Sequence, residues 1–149
     1  MRGTYSILLT CSKPFRVKLG CLDYIDVNIG NYVYTGSALG KGSASLERRI
    51  ERHRQRSKPI RWHIDYLTCR DEIQIKASVY VRSRSRLECM INKMVLEQLR
   101  GRAIARHAGA SDCRCSAHLV SVRGSTRDLI EKLKKIYTAS GDPIVNRYS

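Results

Sequence analysis

Residues 31–53 read NYVYTGSALGKGSASLERRIERH, and a change of period inside this stretch decides the fold. From Tyr32 to Gly36 the pattern has a period of two, so Tyr32 and Tyr34 share one face of a strand that Gly36 closes. A loop of small residues follows. Ser45 then stands where an N-cap belongs, opening a helix from Leu46 to about Arg56. A strand that turns directly into a helix is the building unit of a layered α/β domain.

The helix poses a problem of its own. At about 100° per residue, Leu46, Arg49, Ile50 and His53 fall on one core-facing stripe. Arg48, Glu51, Arg52 and Gln55 take the opposite face, where solvent accounts for them. An unpaired charge in a core costs several kcal/mol as a rough figure, so Arg49 and His53 need a reason. One reading lays the Arg49 stem over the sheet edge with its head in water. The other is a phosphate pocket, where Arg49 opposes negative charge and His53, one turn on, handles a proton.

Working outward, TYSILLTC (4–11) reads as a buried strand and FRVKLG (15–20) as a half-exposed one ending at Gly20. LDYIDVNIGNYVYTG carries the alternation on to Gly36, and together these predict a small antiparallel sheet with short turns. Pro59 ends the helix region, and RWHIDYL (61–67) predicts a short helix or turn anchored by Trp62, Ile64 and Leu67. IQIKASVYV (73–81) is an alternating strand. SRLECMINKMVLEQLR (85–100) is the strongest helix, with Leu87, Met90, Ile91, Met94 and Val95 at helical spacing. HLVSV (118–122) predicts a last strand, and Ser125 or Thr126 caps a final helix with Leu129, Ile130, Leu133, Ile136 and Tyr137 on one face. The expected organisation is one α/β domain over residues 1–139, a small mixed or antiparallel sheet flanked by helices. A flexible tail is expected over 140–149, where Gly, Pro and Asn gather.

The totals narrow the function. In 149 residues, 28 Lys and Arg stand against 13 Asp and Glu, for a net charge of +15. Such an excess repels itself in a compact fold and calls for an anionic partner. Nucleic acid leads, since neutralised phosphates release counterions. Arginine outnumbers lysine about two to one, favouring planar, bidentate phosphate contacts. No window approaches the roughly 18 apolar residues of a membrane span, and the start lacks a signal-peptide pattern. A cytoplasmic protein with reduced thiols is the resulting expectation for the six cysteines.

Several pieces together carry a family likeness. YTGSALGKGSASLERRIERH pairs a Tyr-x-Gly strand end with a helix bearing Leu-x-x-Arg and a histidine four residues on. GTY (3–5) opens the first strand, and RWHIDYL, LECMI and ASDCRCSAHL follow. From Gly3 to about Val122 the chain resembles the GIY-YIG nuclease superfamily, and within it a largely archaeal branch sometimes fused to endonuclease-III-like glycosylases. The resemblance implies that Tyr5 and Tyr34 are the paired active-site tyrosines, Arg49 the catalytic arginine, and His53 a base or hydroxyl partner. It makes Glu88 the carboxylate that holds Mg²⁺ or Mn²⁺. It also implies a repair protein as a possible partner. The chain departs from the compact family pattern in one respect: FRVKLG and its turn lengthen the interval between GTY and YTG. GNYVYTG (30–36) imitates a collapsed motif by itself, and Tyr32 stands third behind Tyr5 and Tyr34.

Each motif has a plainer reading beside it. Ser85-x-x-Glu88 fits a capping box, in which Glu88 satisfies a helix N-terminus. DCRCSAH (112–118) gathers Cys113, Cys115 and His118; with Cys89 or His107 these would make a zinc site, though C-x-C-x2-H is not a standard structural-zinc spacing. They are equally readable as core thiols, or as part of a nuclease cleft. The basic run 48–61 is either a solvated face or a backbone-contacting surface. On the second reading Arg48, Arg52, Arg56, Lys58 and Arg61, with Lys41 from the loop, contact nucleic acid. Trp62 is either core or a base-stacking platform.

The expected function is a metal-dependent endonuclease hydrolysing phosphodiester bonds, with DNA ahead of RNA as partner and no membrane. The alternatives are a catalytically inactive nucleic-acid-binding module and a zinc-stabilised adaptor.

Overall fold

β1 (Gly3–Cys11) is buried along nearly its whole length, because it lies between two partners in the middle of a sheet. The computed structural model describes residues 1–40, 45–104 and 118–148. β1 pairs antiparallel with β4 (Gly30–Ala38) on one side and with β5 (Ile73–Arg82) on the other. The full six-stranded order is β6 (Arg102–Ala103), β7 (Leu119–Val122), β4, β1, β5, β8 (Ile144–Arg147), every pairing antiparallel. β2 (Phe15–Lys18) and β3 (Tyr24–Val27) form a separate two-stranded hairpin.

The sheet is covered on both faces, and period-two alternation decides what faces which layer. Tyr5, Ile7 and Leu9 of β1, with Tyr32 and Tyr34 of β4, pack on α1 (Leu46–Arg54), α2 (Asp65–Thr68) and the hairpin. Leu8 of β1 and Val33 of β4 face the other way, onto α3 (Glu88–Gln98) and α4 (Thr126–Thr138). The same face carries a buried polar chain, Thr35 to Ser6 to Tyr137, each link 2.8 Å. Its hydroxyls satisfy one another, as buried donors must.

Two glycines are demanded by close approach. A Cβ on Gly3 would lie 2.1 Å from the Val81 carbonyl oxygen across the β1–β5 pair. A Cβ on Gly36 would lie 2.8 Å from the Tyr5 hydroxyl, because Gly36 is the cross-strand partner of Tyr5. The glycines of GTY and YTG thus make room for the sheet and for a tyrosine ring.

The structure corrects the sequence reading at four places. The stretch read as one run to Gly36 divides into β3 and β4 at Asn28 and Ile29, and β2–β3 is an excursion rather than part of the main sheet. That excursion is what lengthens the interval between the two glycine motifs. α3 begins at Glu88, two residues later than the capping-box reading needs, with Leu87 as its N-cap and no side-chain cap. Residues expected to fray after Ser140 instead supply β8, which pairs with β5. β6, only Arg102–Ala103, is too short to show any period. Among the described residues, no helix is long and apolar enough to cross a membrane.

Candidate active site

The last turn of α1 delivers His53 to the face of the sheet where β1 and β4 present Tyr5 and Tyr34. His53 is fully buried, and its Nε2 is 2.7 Å from the Tyr5 hydroxyl. Its ring centroid is 5.5 Å from that of Tyr5 and 5.5 Å from that of Tyr34. The two tyrosine ring centroids are 6.3 Å apart, the planes tilted by 53°. Tyr32 is elsewhere: its hydroxyl donates to the Asn28 carbonyl at 2.7 Å. Of the tyrosines weighed from sequence, Tyr5 and Tyr34 are the ones that meet His53.

Arg49 lies one turn before His53 and is half-buried. Its guanidinium donates to the Ser37 carbonyl at 2.6 Å, with Cζ 5.3 Å from the Trp62 ring centroid. Trp62 in turn packs 5.7 Å from His53, centroid to centroid. Arg49 therefore neither stretches into bulk water nor sinks into the core; it is held at the rim by a backbone carbonyl and an indole face. Glu88 occupies the first turn of α3, and its side chain is 16 % exposed. It sits 3.8 Å from His118 Nδ1 and 3.7 Å from Arg86. With the N-cap at Leu87, the capping-box role is not the one Glu88 plays.

The electrostatics join these side chains. Burial holds the Tyr5 and Tyr34 hydroxyls above the ordinary tyrosine range. The neighbouring Tyr34 adds to this at Tyr5, and the negative charge of Glu88 adds to it at Tyr34. Arg49 pulls both down. A cation and an anion therefore act in opposite senses on the tyrosine pair. Burial drives His53 down to about 3, reinforced by Lys58, Arg52 and Arg49 and opposed by Asp65. The imidazole is neutral near neutral pH, with a ring lone pair able to accept a proton. Its Nδ1 has no hydrogen-bond partner among the described residues.

Sequence reasoning missed the group that holds α1 in place. Asp65 is completely buried and takes both Arg52 nitrogens at 3.0 Å, together with the Arg61 and Trp62 amides at 2.9 and 3.0 Å. Lys58, with a 2 % exposed side chain, lies 4.0 Å from Asp65 and donates to the Arg52 and His53 carbonyls at the end of α1. The available signal was that no other acid lies between Arg52 and Ile64, so the first carboxylate after that basic run had charges to neutralise.

This clamp changes the reading of the basic run. Arg52 and Lys58 are internal supports, not outward-facing phosphate contacts. Arg56 bonds the Arg70 and Ile73 carbonyls and lies 3.5 Å from Asp71. Arg48 and Arg61 are exposed, as the nucleic-acid reading requires. Lys41, Cys113 and Cys115 lie outside the described residues. His118 is buried beside Cys89, Sγ to Nε2 3.6 Å.

A family model matches residues 4–141. The chain belongs to that family, described as Domain of unknown function DUF123. No curated protein and no solved structure matches the chain. The match spans every element of the DUF123 domain from β1 to α4, so both tyrosines, the Arg49–His53 helix and Glu88 fall inside it. Among the described residues of the domain, no three or more His, Cys, Asp or Glu side chains form a group that could hold a metal. From the described residues an ion on Glu88 would have one carboxylate, leaving other positions for waters or a substrate phosphate. Mg²⁺ tolerates that arrangement well.

Proposed function

We propose that this chain is a metal-dependent endonuclease of the GIY-YIG type, hydrolysing phosphodiester bonds in DNA. The observation that carries the reading is the convergence of Tyr34, Tyr5 and His53 into one row, Tyr5 hydrogen-bonded to His53 and both tyrosines feeling the charges of Arg49 and Glu88.

Each group has a task there. Arg49 supplies fixed positive charge where the phosphorane accumulates negative charge. The tyrosine hydroxyls hold the attacking water. Neither works as a phenolate at rest, because burial keeps both protonated. As the water oxygen bonds to phosphorus, its proton enters the row and a proton leaves Tyr5 for His53 Nε2. The arriving phosphate brings the negative charge that offsets Lys58, Arg52 and Arg49, which otherwise oppose an imidazolium. A divalent ion held by Glu88 would supply Lewis-acid stabilisation of the phosphate and the departing oxygen. The exposed Arg48 and Arg61 contact the backbone without reading sequence. Fusion of similar chains to glycosylases points to a repair context.

The test is cleavage of end-labelled duplex, nicked, flap and abasic DNA, with RNA in parallel, in Mg²⁺ or Mn²⁺ and in EDTA. Wild type is compared with Arg49→Ala and Glu88→Ala. Metal-dependent cutting that both substitutions abolish supports the proposal. If all three proteins bind nucleic acid equally and none cuts, the nuclease reading falls and a binding module remains.

A further inference from the structure

Cys89 and His118 come from different elements and meet at one corner. Cys89 is the second residue of α3, and His118 directly precedes β7. The sulfur and Nε2 are 3.6 Å apart. Two ligands of a tetrahedral zinc, with Zn–S about 2.3 Å and Zn–N about 2.05 Å, are separated by about 3.6 Å. We propose that Cys89 Sγ and His118 Nε2 are two ligands of a structural zinc ion that ties α3 to β7.

One further contact supports the assignment. The other imidazole nitrogen, Nδ1, lies 3.8 Å from Glu88 Oε2. A carboxylate behind the non-ligating nitrogen is the usual outer-shell arrangement at a zinc-bound histidine, where it fixes the tautomer. A thiolate and an imidazole together select a borderline-soft ion, zinc ahead of magnesium or calcium. A four-coordinate site needs two more donors. The test does not depend on which donors they are.

The site differs from the divalent-ion role given to Glu88 above, although the two are neighbours. The proposal stands apart from the cleavage reading, because a protein that cuts nothing still either holds zinc or does not.

The experiment measures metal content of the full chain, purified without a metal-affinity step, by elemental analysis and by release to a chromogenic chelator. One zinc per chain is expected in wild type and in Cys21→Ser, a control at an exposed thiol. Cys89→Ser and His118→Asn should each lose most of it, whereas His118→Cys, which restores a soft ligand, should keep it. In Co²⁺-loaded protein a thiolate-to-metal absorption band should weaken in Cys89→Ser. Circular dichroism of each variant separates loss of metal from loss of fold. Absence of stoichiometric zinc from folded wild type overturns the proposal, as does full retention in Cys89→Ser. Equal loss in His118→Asn and His118→Cys, with both folded, also overturns it. If the metal-free wild type instead shows rapid alkylation of Cys89, the pair is a thiolate–imidazole couple and not a metal site.

Discussion

The Tyr5 hydroxyl lies 2.7 Å from His53 Nε2, although 48 residues separate them in sequence. Neither residue is useful here without the other. Buried alone, the imidazole would have no accessible proton source; buried alone, the hydroxyl would have nowhere to send its proton. Tyr5→Phe removes the link at little change in volume. The expected result is a loss of about 10²-fold or more in cleavage rate. The stability cost should be about 1–3 kcal/mol, from the buried imidazole left without its partner. Single-turnover cleavage and urea unfolding of the same preparation measure the two effects separately.

The depressed pKa of His53 makes a prediction about acid. Its ordinary value is 6.5 and its folded value is about 3. The folded state thus binds fewer protons than the unfolded chain between these values. The stability this contributes is fully present above 6.5 and is lost as pH falls toward 3. The slope from this one group is about 1.4 kcal/mol per pH unit inside the window. His53→Gln should be less stable at neutral pH yet lose less between about pH 6.5 and pH 5.5, where the carboxylates have scarcely begun to protonate. Urea midpoints across that range test it, and parallel curves for wild type and variant would contradict it. His118 shifts in the same direction, so the comparison is of slopes between the two proteins and not of wild type alone.

Gly3 and Gly36 flank the same strand pair and should respond differently to alanine. At Gly3 the added Cβ meets backbone, 2.1 Å from the Val81 carbonyl oxygen, so the β1–β5 pairing must shift. A loss of about 1–3 kcal/mol in stability is expected. At Gly36 the Cβ meets the Tyr5 ring, 2.8 Å from its hydroxyl and 2.9 Å from Cζ, and 3.2 Å from a Tyr34 ring carbon. The ring moves more readily than backbone, so the expected damage falls on cleavage more than on stability. Thermal melts and cleavage rates of the two variants, taken together, decide whether the glycines divide in this way.

Much of this was legible because the two periods are local. The alternation at Tyr32–Gly36 and the stripe Leu46, Arg49, Ile50, His53 needed no knowledge of the rest of the chain, and the structure places all four helix residues on the sheet side. What escaped is set by pairing at a distance. β8 directly follows Pro143 and carries Asn146 in a half-polar pattern because it is an edge strand, and such strands do not alternate cleanly. The Asp65 clamp could not be read from spacing, since Arg52 and Lys58 look like solvent-facing charges until α2 brings a carboxylate beneath them. The capping box at Ser85 failed for a related reason: the Leu87 amide is 3.3 Å from Thr4 Oγ1 on β1, and α3 starts at the next residue.

Asp65→Ala should be among the most damaging substitutions outside the tyrosine row. It leaves the half-buried Arg52 and the buried Lys58 without their carboxylate and frees the Arg61 and Trp62 amides. Removing one member of a buried charge cluster costs about 3–5 kcal/mol. Because Arg52 and the end of α1 position His53, cleavage should fall even where the variant remains folded. Denaturant unfolding and activity at low temperature check both parts, and a near-neutral effect would refute the clamp.

The basic run divides into supports and contacts, and salt dependence separates them. Arg48 and Arg61 are exposed, whereas Arg52, Arg56 and Lys58 are bonded within the chain. A residue that neutralises one phosphate contributes about one unit to the slope of log affinity against log salt. Arg48→Gln and Arg61→Gln should each weaken DNA binding in all sequences alike and lower that slope by about one, with unfolding unchanged. Arg52→Gln and Lys58→Met should instead destabilise the fold. At a salt concentration where the protein remains folded, they should leave the slope where it was. Fluorescence anisotropy titrations across a range of salt distinguish the two groups. A reduced slope for Arg52→Gln would mean that the arginine leaves Asp65 for a phosphate when nucleic acid binds, and the division drawn from the unbound structure would then be wrong.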